Sequence, residues 1–102
     1  MAKVTVLGAG SWGTALAKAL AERGLQVALW ARSPDIAAKL RAERENSAYL
    51  PGIALPDAVR PTHELAVALE QSESVYFVVP SHGLREVLTQ ALPFLPPRGA
   101  LI

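Results

Sequence analysis

Gly8-Ala9-Gly10-Ser11-Trp12-Gly13 sets three glycines in the spacing G-x-G-x-x-G, between a short β-branched run and a segment rich in Ala and Leu. Taken alone the string is weak, because three fixed glycines in six positions occur by chance; its context makes it constraining. Between a strand and a helix, the first glycine permits a sharp turn and the second lets backbone approach a pyrophosphate with no Cβ in the way. The third lets the helix pack closely on the strand. The free N–H groups at the helix start, at its positive dipole end, then face an anion. The same string also occurs in βα turns that bind nothing, so the flanking segments decide its weight.

Those segments alternate. Val4, Val6 and Leu7 lead into Gly8. The stretch from Trp12 to Arg23 carries Leu16, Leu20 and alanines at 15, 17, 19 and 21, and Gly24 follows where a helix C′ glycine belongs. Gln26 to Trp30 reads as a second strand. Ser33-Pro34 pairs an N-cap with proline at the first helical position, opening a helix to about Glu45. Its charges, Lys39, Arg41, Glu43 and Arg44, read as a solvated face. Pro51, Gly52, Pro56 and Pro61 argue against a regular helix over 46–61, which reads as a long connection with a brief strand near Ala58 to Arg60.

Thr62 is placed to cap a short helix to about Gln71. Val75-Tyr76-Phe77-Val78-Val79 is apolar without alternation, as in a parallel strand buried on both faces. Pro80 stops it, and Ser81 is placed to cap a helix from His82 to Leu92. Pro93, Pro96 and Pro97 end that helix, and Ala100-Leu101-Ile102 reads as the start of a further strand. This order predicts an α/β fold: a Rossmann-type parallel sheet with helices on both faces, reaching the start of its fifth strand, in one domain over 1–102.

Composition narrows the function. Ten Lys and Arg against nine Asp and Glu leave a formal charge of +1, no electrostatic footprint for nucleic acid or a polybasic membrane contact. With no cysteine there is no disulfide, thiolate zinc site or cysteine nucleophile. No apolar stretch approaches the ~18 residues of a membrane span, and the N-terminus lacks a signal pattern, so the cytosol is the expected compartment.

The end of the second strand supplies the next clue. About 20 residues past the glycines, a NAD-preferring domain offers Asp or Glu to the ribose hydroxyls. Here Leu29-Trp30-Ala31-Arg32-Ser33 has no acidic group and a guanidinium instead. Arg32 can grip a 2′-phosphate bidentately or stack on adenine, which favours NADP, with NAD as a second cofactor. A plain exposed arginine opening a loop is the competing reading. Ser81 and His82 are adjacent and so unsuited to a catalytic dyad. Two scattered histidines, with His63 expected at the surface, give no metal spacing. Trp12 and Trp30 read as core or pocket-wall residues. Asn46 through Pro56 is least explained by the fold, and Tyr49, Leu50 and Ile53 argue against disorder there.

Together, Gly8 through Ala17, Leu29-Trp30 with Arg32, Asn46 through Pro56, and Val78-Val79-Pro80-Ser81 resemble the bacterial NAD(P)H-dependent glycerol-3-phosphate dehydrogenases. The Asn-x-x-Tyr-Leu-Pro-Gly-Ile-x-Leu-Pro block is the most specific part, and the likeness spans nearly the whole chain. It implies reduction of dihydroxyacetone phosphate to sn-glycerol 3-phosphate for phospholipid synthesis, and it leaves room for a homodimer. The glycine motif itself puts Gly8, Gly10 and Gly13 at the cofactor, and the resemblance implies that Ser11, Trp12 and Arg32 contact it. Tyr49 lies near it, and Pro80 and Ser81 sit at the carboxyl end of the fourth strand, across the crevice from the glycine loop.

The resemblance also implies a Thr-Lys-Gly segment after the strand beginning at Ala100, and a helical C-terminal domain with the catalytic lysine. On that expectation these residues are the N-terminal part of a longer chain, bind cofactor and catalyse nothing alone. No catalytic residue is assigned. The alternatives are another Rossmann reductase or hydroxyacid dehydrogenase, and a non-catalytic nucleotide-binding module. A methyl-donor site fits poorly, because Arg32 stands where such sites want an acid.

Overall fold

A computed structural model describes residues 2–95 and 100–101. Among them, β1 (Lys3–Leu7), β2 (Gln26–Trp30), β5 (Val59–Thr62), β6 (Ser74–Phe77) and β7 (Ala100–Leu101) form one parallel sheet in the order β5-β2-β1-β6-β7. Counting only these strands, the order is third, second, first, fourth, fifth. That is the doubly wound arrangement of the Rossmann fold, with its reversal between β1 and β6.

Strand alternation sends successive side chains to opposite faces. Val4, Val6, Val27, Leu29 and Val59 meet α1 (Ser11–Glu22) and α2 (Pro34–Glu43), through Ala17, Ala37 and Leu40. On the other face, Leu7, Ala28, Trp30 and Val75 meet α3 (Leu65–Leu69) and α4 (Ser81–Ala91), through Ala68, Leu69, Val87 and Ala91. Each fully buried Val or Leu contributes about 1.5–3 kcal/mol, so the two apolar layers hold the sheet between its helices. Thr5, wholly buried on the α3 side, donates through Oγ1 to the Ala68 carbonyl at 2.5 Å. Among the described residues, no helix is long and apolar enough to cross a membrane.

Helix ends follow their local chemistry. Gly24 takes φ +92° just past α1, and its N–H bonds to the Ala21 carbonyl. Ser33 Oγ accepts from the Ile36 N–H at 3.4 Å and Pro34 opens α2. That helix stops two residues short of the expected Glu45, because Arg44 adopts a left-handed conformation.

Several expectations need correction. The 46–61 connection holds an antiparallel hairpin, β3 (Glu45–Asn46) with β4 (Leu50–Ala54), before β5. Pro51 hid the hairpin, which forms a small separate sheet, whereas β5 answers to the brief strand expected near Ala58 to Arg60 and carries Pro61 on the edge of the large sheet; at both places a missing N–H is tolerated. The charges of α2 are not all a solvated face. Arg44 donates through Nη2 to the Pro56 and Val59 carbonyls, and Arg41 through Nη1 to that of Pro61, so both tie the helix to the chain entering and forming β5. Thr62 does not cap α3; Glu64 holds the N-cap position, and Thr62 Oγ1 accepts from the Glu64 N–H in the turn before it. Ser81 is the first residue of α4, and Pro80 holds its N-cap position. Pro96, Pro97 and Ile102 lie outside the described residues.

Candidate cofactor site

The crevice of the sheet opens at the strands' carboxyl ends, where β1 and β6 part to opposite faces. Backbone bonds knit this end together. The Gly8 N–H bonds to the Trp30 carbonyl, Val78 N–H to that of Leu7, and Ala31 N–H to that of Thr62. Gly8 has φ +129°, and a Cβ there would overlap the Val78 carbonyl. Only glycine fits on both counts. A Cβ on Gly13 would collide with the Gly8 carbonyl oxygen, so the third glycine brings α1 against the turn itself rather than only against the strand.

Gly10 is different. Nothing lies within 4 Å of where its Cβ would stand. It occupies the N-cap position of α1, with no side chain capping the helix and no acidic residue in its first turn. The first N–H groups of a twelve-residue helix therefore point out beside open space, with the dipole's positive end unneutralised. Anionic groups that accept hydrogen bonds, not cations, suit this end of the site.

A cleft of about 520 Å³ occupies the crevice, within the range of small-molecule sites. Five of the residues singled out from sequence line it together: Gly8, Gly10, Arg32, Tyr49 and Pro80. Ser11, Trp12 and Gly13 do not line it; Gly13 is buried beneath the turn. Trp12 is 82% exposed, against the expectation of a core or pocket-wall residue, because the first turn of α1 carries it away from the sheet. Trp30 does line the cleft, buried at the end of β2, its indole N–H held by the His63 carbonyl at 2.9 Å. His63 itself is exposed.

The walls combine apolar and charged groups. Ile36, Val78, Val79 and Val87 offer hydrophobic surface, and Arg32 supplies a cation. Its Nη2 lies 2.5 Å from Glu86 Oε1 on α4. The hydrogen bond from Arg32, then its charge, holds the Glu86 carboxyl below its ordinary value, and the same pairing raises Arg32. This donor set fits a dinucleotide: an uncapped helix end beside a glycine with room in front of it, apolar walls for a base, and a guanidinium at the β2 end. Among the described residues no group of three or more His, Asp or Glu could hold a metal ion.

Sequence reasoning passed over two residues here. Asn46 entered only as part of a block, yet it is 3% exposed, and its Nδ2 donates to the Ala9 carbonyl and to Thr14 Oγ1, both at 2.8 Å. Its Oδ1 accepts from the Tyr49 N–H at 3.3 Å. A polar residue buried in a hairpin has no periodic signature; its conspicuous place at the head of the block was the one clue. Glu86 belongs to no motif in the sequence, and only tertiary packing sets it across from Arg32.

The chain is similar to known proteins. Residues 3–102 match the family model described as NAD-dependent glycerol-3-phosphate dehydrogenase N-terminus. The chain is 45% identical over 100 residues to the glycerol-3-phosphate dehydrogenase [NAD(P)+] of Pelotomaculum thermopropionicum, covering 98% of this chain and 29% of that protein. The namesake from Shewanella sediminis is 51% identical over 94 residues, covering 92% of this chain and 28% of the relative. A crystal structure of glycerol-3-phosphate dehydrogenase from Coxiella burnetii superposes with a TM-score of 0.93 at 36% identity, over 98% of this chain and 31% of that one. The chain thus spans under a third of the length of these relatives.

Proposed function

Because the chain belongs to the family of NAD-dependent glycerol-3-phosphate dehydrogenase N-terminal domains, we propose that it binds a nicotinamide dinucleotide in the crevice between β1 and β6, NADPH ahead of NADH. The protein of which it forms the cofactor domain then reduces dihydroxyacetone phosphate to sn-glycerol 3-phosphate, in the cytosol. The observation that carries this is the uncapped start of α1 at Gly10, sharing one cleft with Arg32.

Each residue has a task. The first N–H groups of α1 hold the pyrophosphate, and Gly10 leaves it room. Ile36, with the Val78-Val79 aliphatic surface, excludes water from the cleft. Arg32 meets the 2′-phosphate at the β2 end. Tyr49, brought to the rim by the hairpin, closes one side. When bound, the cofactor supplies the hydride. On this reading none of the described side chains is assigned as acid or base for the carbonyl oxygen.

Titration with NADPH and NADH, followed by tryptophan fluorescence, tests this reading, since Trp30 lines the cleft. A saturating change, tighter for NADPH, supports it. No response to either cofactor in a sample whose circular dichroism shows a folded α/β protein would overturn it.

A further inference from the structure

We infer that Glu86 tunes the choice between the two nicotinamide cofactors by competing for Arg32; this rests on the cofactor reading above. Arg32 follows β2 and lines the cleft from that side. Glu86 belongs to α4, one turn beyond His82 and Gly83, which line the opposite side. The 2.5 Å ion pair between them therefore spans the mouth, with the two side chains 59% and 57% exposed. The cation best placed for a 2′-phosphate already has an anionic partner belonging to the protein.

The two cofactors meet this pair differently. NADH carries a neutral 2′-hydroxyl at the adenosine ribose, so the pair persists and its guanidinium stays available to the face of the base. NADPH carries a phosphate monoester there, with a charge of about −1.5 to −2 near pH 7. Reaching Arg32, it meets the Glu86 carboxylate beside the same guanidinium and displaces it or is repelled by it. The carboxylate therefore weakens NADPH selectively and keeps NADH competitive. Because the pair is exposed, the effect is a few-fold in affinity and screened by salt.

Glu86→Gln isolates the charge, since glutamine keeps an oxygen for Arg32. Titrations with NADPH and NADH are run on wild type and variant at about 0.05 M and about 0.5 M salt. The expected result at low salt is an NADPH Kd lower by about two- to fivefold, with NADH unchanged within measurement error and the gain shrinking at high salt. With Arg32→Ala already in place, the same change gives a smaller gain. An unchanged NADPH-to-NADH ratio, weaker NADPH binding, or an undiminished gain without Arg32 would overturn the inference. A folded wild type that binds neither cofactor removes the cofactor reading as well, whereas a wild type that binds with a ratio insensitive to Glu86 removes only this inference.

Discussion

Asn46 Nδ2 donates to the carbonyl oxygen of Ala9 at 2.8 Å, joining the β3–β4 hairpin to the middle of the glycine turn. The same amide reaches Thr14 on α1, and its oxygen holds the Tyr49 backbone. One buried side chain thus ties together the turn, the helix that follows it and the residue at the cleft's rim.

Asn46→Ala removes these bonds and leaves the buried Thr14 hydroxyl and the partly buried Ala9 carbonyl without that donor, at a cost of about 1–3 kcal/mol. Asn46→Asp is expected to be worse, because a carboxylate offers no donor to the Ala9 carbonyl. Urea denaturation of the three proteins checks the order, and NADPH affinity should fall along with stability, through the loosened turn.

Gly10→Val is expected to separate binding from folding. Gly10 has φ −78°, which valine adopts, and its Cβ meets nothing in the protein. Circular dichroism should be unchanged and the melting temperature should move only a few degrees. NADPH affinity should drop by at least about tenfold, roughly 1.4 kcal/mol, because the new side chain fills the pyrophosphate's path. Unaltered affinity would remove the glycine turn from the site.

Gly13→Ala should do the reverse. Its methyl would collide with the Gly8 carbonyl, so α1 must shift away from the turn. Overpacking of this kind costs about 1–3 kcal/mol or more, visible as a lower melting temperature without cofactor.

Arg32→Ala is expected to weaken NADPH by about 1–3 kcal/mol and NADH by less, since the charged hydrogen bond exists only with the 2′-phosphate. Equal losses would instead identify Arg32 as a stacking partner for the base. Parallel calorimetric titrations with the two cofactors distinguish these outcomes.

The same variant has a pH signature. Arg32 holds the Glu86 carboxyl below its ordinary value, so the pair's contribution is complete above the unfolded carboxylate's pKa. It is lost as pH falls through the lower, folded value. Carboxyl NMR of Glu86 should show that depressed titration in the wild type and a return toward the ordinary range in Arg32→Ala.

Local chemistry made much of this fold legible. β2 falls on its expected residues, Gly24 sits at its positive φ, and Ser33-Pro34 opens α2 as caps and prolines do. The hairpin was not legible, because Pro51 and Gly52 speak against a strand, and the pairing of Glu45 with Ala54 is tertiary information. Trp12 misled for a related reason: hydrophobicity predicts burial on average, while the direction of one helix turn decides the individual case.

The chain alone therefore determined the parallel α/β order, the three-glycine turn and an arginine where an acid is usual, since each depends on local spacing and backbone preference. Tertiary structure decided which groups share the cleft. Pro80 and Tyr49 lie far from Gly10 along the chain and meet it only because β6 adds beside β1 and the hairpin folds back on the turn. The partner of Arg32 is decided in the same way, by packing α4 and α2 on opposite faces so that their starts converge at one mouth. Spacing along a chain carries no record of such distances, because they arise from the sheet's crossovers.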